Sequence, residues 1–235
     1  MEYGIAKLIY FDPDIRVLRN LSSVFSLLDE SSIALTPHLT APLIDDGAVP
    51  SEITILRAGT YNLGFIAIAN TITTHAMLDW WQERLYDKCR MAQDEGMCVD
   101  QKWIDLVPLY FDQVVIIRAP GYNVAYWNLP TRRVARAGSE VSVNGEPGYF
   151  FHFSGYNAEE PQRVSKHDTR LSMEALGQAA DLFVEYADAL VAHGVRTVAP
   201  WPYAYGFFDN GVDAGLQVHH RAARLCATST RCFLQ

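Results

Sequence analysis

The chain has 235 residues, 49% hydrophobic and 20% charged, enough to bury a full core in one domain or in a domain with an extension. Its net charge of −8 argues against a general nucleic-acid binder, while leaving phosphate ligands open wherever a bound cation supplies positive charge. Nowhere do ~18 apolar residues run together, as a membrane-spanning helix requires. No basic stretch leads into an apolar one as in a signal peptide, so a cytoplasmic location is expected.

The first pattern is Leu-Ile-Tyr-Phe-Asp-Pro-Asp, residues 8–14. Four apolar residues predict a buried, central strand, and Pro13, which lacks an N–H, ends it. Asp12 and Asp14 then stand at the carboxyl end of the strand, the edge where open α/β sheets bind ligands. Two hard oxygen donors suit Mg²⁺ or Mn²⁺; ordinary turn chemistry is the plain alternative.

Residues 15–28 carry apolar positions at roughly helical spacing and predict a helix. Ser31–Thr36 predicts a second strand ending at Pro37-His38, where His38 either lines a pocket or makes a structural hydrogen bond, the commoner case. Residues 40–50 predict a loop and Glu52–Arg57 a short helix. Asn62 and Gly64 fall just before a strand at Ile66–Ala69. Gly allows close approach of a ligand and Asn offers both donor and acceptor; a hairpin or bulge is the alternative.

A long helix is predicted over Thr73–Gln93, with Met77, Trp81, Leu85 and Cys89 on one face and Gly96 stopping it; Trp80 and Trp81 read as core. Asp100 and Gln101 open a short helix ending near Pro108. Asp100 there either complements the helix dipole or accepts hydrogen bonds from sugar hydroxyls. Val114–Ile117 predicts a strand. The aromatic and amide-rich stretch Tyr122–Asn128 suits carbohydrate or a buried turn. Arg132 and Arg133 read as phosphate or acidic-partner ligands, or as surface charges. Asn144-Gly145 predicts a type I′ hairpin turn.

Tyr149–Gly155 predicts a further buried strand in which His152, flanked by phenylalanines, is a core residue or a third metal ligand beside Asp12 and Asp14. Residues 165–193 predict mainly helix, closed by Gly194, and residues 200–208 an irregular aromatic segment. None of the four cysteines has zinc-ligand spacing. Reduced thiols are expected, with a Cys226–Cys232 disulfide as the alternative.

Taken in order, Asp-Pro-Asp, Tyr-Asn-Leu-Gly-Phe (61–65), Val-Asp-Gln-Lys-Trp (99–103) and His-Phe-Ser-Gly (152–155) resemble the bacterial GT-A-type glycosyltransferases. The layout is similar to that of the glycogenin-like and galactosyltransferase-like retaining enzymes. More specifically, it resembles glycosyltransferase domains of bacterial surface-polysaccharide clusters. There Asn-Val-Ala-Tyr-Trp-Asn-Leu (123–129), His-Phe-Ser-Gly-Tyr (152–156) and Ser-x-His-x-x-Arg (Ser165, His167, Arg170) recur. The likeness covers residues 8–221.

The resemblance implies Mn²⁺ or Mg²⁺ held by Asp12, Asp14 and His152, with Asp12 bridging metal and ribose. It places Asn62 and Gly64 at the nucleotide sugar, Asp100 against the sugar and Gln101 near the reacting carbon. The implied donor is a nucleotide sugar, UDP-linked. The implied acceptor is a glycan or lipid-linked sugar, with peripheral membrane contact and retention of configuration. The implied fold is α/β, a GT-A-like (Rossmann-like) mixed sheet flanked by helices over residues 1–160, then a helical C-terminal extension over 161–235. In this family nucleotide-holding strands precede Asp-x-Asp, so the domain is expected to be incomplete at its N-terminus, with an open sheet edge inviting self-association. The alternative is an inactive glycosyltransferase fragment acting as an interaction module. A two-metal phosphohydrolase would need further carboxylates or histidines at suitable positions, and the sequence offers none.

Overall fold

The computed structural model describes residues 4–202 and 206–211. Cys226, Cys232 and residues 203–205 of the aromatic segment lie outside them. The elements are β1 (Lys7–Phe11), β2 (Ile15–Val17), α1 (Ser22–Leu27), β3 (Ile33–Pro37), α2 (Glu52–Ala58), β4 (Tyr61–Ala69) and α3 (Ile72–Lys88). There follow β5 (Met91–Ala92), β6 (Met97–Cys98), a 3-10 turn over Gln101–Leu106, α4 (Val107–Tyr110) and β7 (Val114–Ile116). Then come β8 (Val134–Ala137), β9 (Glu140–Val143), β10 (Glu146–Pro147), β11 (Phe150–His152), α5 (Ala179–Ala192) and α6 (Val195–Val198). The fold is mixed α/β. No helix among the described residues is long and apolar enough to cross a membrane.

The main sheet runs β1-β4-β3-β7, with β4 antiparallel to both neighbours and β3 parallel to β7. Its residues alternate faces. Phe65, Ala67 and Ala69 of β4 share one core with Ala34, Phe150 and Val24 of α1. Ile66 and Ile68 share another with Ile33, Leu35 and Met77 of α3. A third core joins Val141, Val143, Phe151 and Phe153 to Leu182 and Phe183 of α5, and so spans both sides of residue 160.

Several elements differ from the sequence reading. β1 is an edge strand of the main sheet, and β4 is the long buried one. Asn62 and Gly64 lie inside β4 rather than before it. Residues 15–17 are a strand, not the start of a helix. The β-branched Ile15 and Val17 pair with β11 in the register His152↔Ile15, Phe151↔Arg16 and Phe150↔Val17. Helix α1 begins only at Ser22, whose N–H is accepted by Asn20 Oδ1 at 2.7 Å. Helix α3 stops at Cys89, because Met91 pairs with Cys98 in the β5–β6 hairpin. Gly96, at φ +78°, turns that hairpin and does not cap the helix. Pro108 sits in the first turn of α4, where a missing N–H costs nothing.

The helix predicted from residue 165 begins only at Ala179. Asp168 accepts the Leu171 N–H at 2.7 Å, and Thr169 bonds both ways with Val49, so side chains compete with the helix. The Asn144-Gly145 turn is as expected, with both residues at positive φ.

Helix α5 is anchored by aromatic packing, with Phe183 edge-on to Phe151 and Phe153 at 5.4 and 5.1 Å. Phe183→Ala should therefore cost about 3–5 kcal/mol of stability. Urea unfolding of both proteins checks this; a loss below about 1 kcal/mol would mean that α5 is not part of the cooperative core.

Candidate functional site

Asp12-Pro13-Asp14 joins β1 to β2, and each acid is fixed to a different element. The Asp12 N–H donates to the Gly64 carbonyl on β4 at 2.9 Å. The Asp14 carbonyl accepts the Phe153 N–H just past β11, also at 2.9 Å. His152 is thereby brought opposite both acids. Its Nε2 lies 3.1 Å from Asp14 Oδ1 and 4.0 Å from Asp12 Oδ2. The three candidate ligand atoms all fall within 4.8 Å of one another. The imidazole is buried, and the carboxylates are about a third exposed and face a cavity. Burial pushes the Asp14 carboxyl up, but the hydrogen bond and charge of His152 outweigh it and hold the group below its ordinary value. Tyr10 Oη donates to Asp12 Oδ1 at 2.8 Å.

A layer of amides fixes the imidazole. Asn62 Oδ1 accepts from Asn123 Nδ2 at 2.9 Å and from the Gly64 N–H at 3.2 Å, so this is the acceptor side of the amide. His152 Nδ1, 3.2 Å away, therefore donates to it, and Nε2 is turned to the two acids. On its other side Asn62 Nδ2 donates to Gln101 Oε1 at 3.2 Å and to His38 Nε2 at 3.3 Å. Gln101 completes the layer, accepting the Leu63 N–H at 3.0 Å and donating to the Ala58 carbonyl at 2.9 Å.

Asp12, Asp14, Asn62, Gly64, Asp100, Gln101 and His152 all line one cavity of about 1090 Å³. Their parts differ from the sequence reading. Asn62 and Gln101 line the cavity with amides already engaged in the scaffold. Gly64 makes room for a side chain: a Cβ there would stand 2.3 Å from His152 Cε1. Asp100 is half-buried, and desolvation holds its carboxyl above the ordinary value. Arg132 is buried and donates to the carbonyls of Tyr122 and Asn123 at 2.7 and 3.3 Å, a brace rather than a phosphate ligand. Asn128 likewise holds its own turn.

Other cavity residues were less visible in the sequence. Trp127 stands edge-on to His38 and His152, at 5.1 and 5.2 Å. Trp81, read as core, lines the wall. Lys166 and His167 reach the cavity because the chain after β11 folds back on itself. Ser165 Oγ donates to the Ser154 carbonyl at 2.8 Å, over Gly155 at φ +70°, where a Cβ would meet Ser165 Oγ at 2.6 Å. The Ser-x-His-x-x-Arg spacing was the available signal. Arg170 pairs with Asp46 at 3.0 Å and donates to the Pro50 carbonyl at 3.2 Å, fastening the 40–50 loop, whose Val49 and Pro50 line the cavity.

No protein-family model and no solved structure matches the chain. Among curated proteins it is similar to Uncharacterized protein YfnF of Bacillus subtilis (strain 168), 29% identical over 204 residues, which are 83% of this chain and 64% of that protein. It is also similar to Uncharacterized protein YfnD of the same organism, 24% identical over 149 residues, 63% of this chain and 46% of that one. The chain thus spans less than two thirds of the length of these relatives.

His38 gives a pH test of the amide layer. Burial pushes its pKa down from 6.5 to about 4, against a weaker upward pull from the backbone at Gly59 and Thr60. Between those values the unfolded chain binds a proton that the native chain does not. The contribution is complete above pH 6.5 and is lost as pH falls toward about 4, on the order of 3 kcal/mol in all. Asp14, with its pKa below 3.8, acts only at lower pH. Urea unfolding at pH 7 and pH 4.5 should show the loss, and His38→Gln should flatten it; an equal slope in the variant would place the effect elsewhere.

Proposed function

We propose that this protein is a metal-dependent glycosyltransferase of GT-A type, moving a sugar from a UDP-linked donor to a glycan or lipid-linked acceptor. The observation that carries this reading is the triangle of Asp12, Asp14 and His152 Nε2 on the wall of a cavity of about 1090 Å³. Two carboxylates and an imidazole suit Mn²⁺, or Mg²⁺ less well, and three protein ligands leave coordination positions for diphosphate oxygens. When bound, the cation supplies Lewis-acid stabilisation of charge on the leaving diphosphate.

The chain's own residues do the rest. Asn62 holds the His152 proton on Nδ1 and so keeps Nε2 available. The Lys166 ammonium, on the cavity wall and unpaired among the described residues, gives a diphosphate a second positive charge. Asp100 accepts hydrogen bonds from hydroxyls of the sugar, and burial makes that interaction stronger than it would be in water. Gln101 positions Asn62 and the Leu63 backbone.

Calorimetric titration of UDP with Mn²⁺ and with EDTA tests the reading. Binding should require Mn²⁺ and fall at least tenfold in Asp14→Asn. No binding by the folded protein would sink it and leave an interaction module. In the same titrations Asn62→Ala should weaken Mn²⁺ binding about 10–100-fold, the usual effect of removing the partner that orients a histidine ligand. Unchanged Mn²⁺ affinity in that variant would remove Asn62 from the site.

A further inference from the structure

Val99 has a backbone conformation that its side chain disfavours. Among the described residues, those other than glycine at positive φ are Val99, Gln113, Asn123 and Asn144, and Val99 stands at +40°. Asparagine is tolerated there, whereas a β-branched residue is a true outlier, because its Cβ crowds the following carbonyl oxygen. Such a conformation persists only where its surroundings impose it, and it gathers at functional sites.

Both neighbours of Val99 are held. Before it, the β5–β6 hairpin pairs Met91 with Cys98, which is buried, and the Val99 N–H donates to the Arg90 carbonyl at 2.9 Å. After it, the Asp100 carbonyl accepts the Trp81 Nε1–H of α3 at 3.2 Å. Turning Val99 to a relaxed, negative φ would rotate Asp100 relative to the hairpin, and the Trp81 hydrogen bond opposes that rotation.

What this conformation presents is the Asp100 side chain. Asp100 and Val99 both line the cavity, as does Asp12. Asp100 stands just before the 3-10 turn, yet its side chain makes no capping hydrogen bond. Burial raises its pKa, and the N–H groups of Asp100 and Gln101 offset only part of that rise. The carboxylate therefore keeps acceptor positions for a ligand.

We infer that Trp81 is a positioning residue for Asp100. Its indole N–H, by holding the Asp100 carbonyl, keeps Val99 left-handed and so presents the Asp100 carboxylate to the cavity. Without that bond Val99 relaxes and carries the carboxylate away. The inference rests on the reading of Asp100 as the acceptor for hydroxyls of the donor sugar.

The test compares the wild type with Trp81→Phe, Val99→Gly and the double variant. Phenylalanine keeps an aromatic wall without the N–H, and glycine takes positive φ freely. Each protein is titrated in Mn²⁺ with UDP, UDP-glucose, UDP-galactose and UDP-N-acetylglucosamine, and each is melted without ligand. In the wild type at least one sugar nucleotide should bind about tenfold tighter than UDP, and Asp100→Asn should abolish that advantage. Trp81→Phe should abolish it too, with UDP affinity unchanged. In the double variant the advantage should return to within about twofold of the wild type, because no strain is left to release. Melting should move the other way. Trp81→Phe should lower the melting temperature more in the Val99→Gly background, because only valine regains strain when the bond is lost. Equal losses in both backgrounds, in binding and in melting, would make Trp81 a mere wall residue and overturn the inference. UDP binding with no sugar advantage, or with one that Asp100→Asn retains, overturns the role of Asp100 alone. No UDP binding at all overturns the donor reading, and the melting comparison then still decides whether Trp81 holds Val99 in its strained state.

Discussion

The site depends on the absence of one carbon atom. At position 64 the central strand β4 presents no side chain, and the His152 ring fills that space. Any Cβ there would overlap the ring, and the strand cannot recede because it is bonded on both sides, to β1 and to β3. The small β2–β11 sheet can therefore approach the main sheet closely at this point. Through it, Asp14, which precedes β2, and His152, which ends β11, meet Asp12, which follows β1. The contact between two sheets is thus also the place where three candidate ligands converge.

Holding a buried imidazole in one orientation requires a partner for its inner nitrogen, and Asn62 supplies it. An amide alone is ambiguous, since its oxygen and nitrogen can exchange places. Here the ambiguity is removed twice: two donors besides His152 face Oδ1, and two acceptors face Nδ2. Reversing the amide would set donors against donors on one side and acceptors against acceptors on the other, with several buried groups unsatisfied at about 1–3 kcal/mol each. His38 takes part as an acceptor, which is consistent with burial disfavouring its charged form.

The strand ends were legible because their signals are local. Pro13 stops β1 wherever the chain goes next, and an apolar run that turns polar after Phe153 marks an edge in any context. The interior of β4 was not legible. Asn62 and Gly64 interrupt its apolar pattern, and their burial comes from His152, Asn123 and Gln101, which are 37–90 residues away in sequence. The same cause explains residues 15–17. Alone they fit either period, and only pairing with β11 selects the strand. The edge position of β1 and the premature end of α3 likewise follow from partners. The convergence of Asp12, Asp14 and His152 was anticipated from strand ends, whereas the engaged amides of Asn62 and Gln101 could be seen only with their neighbours in place.

What keeps β2 in register can be decided by magnitude. Glu185 of α5 reaches Arg16 on β2 at 2.8 Å and Arg136 on β8 at 2.6 Å, tying the helix to both strands. These groups are roughly a fifth to two fifths exposed, and such pairs contribute about 0–1 kcal/mol each. Phe151, Phe153 and Phe183 are almost completely buried in one cluster, and each phenylalanine contributes about 1.5–3 kcal/mol by leaving water. The aromatic cluster therefore sets the distance between α5 and β11, and the ion pairs select which way the helix faces. Because Phe151 and Phe153 flank His152 on the opposite face of the strand, the residues that stabilise the extension also aim the imidazole at the acids. Loosening α5 would thus disturb the site before it unfolded the main sheet, whose two other cores do not include that helix.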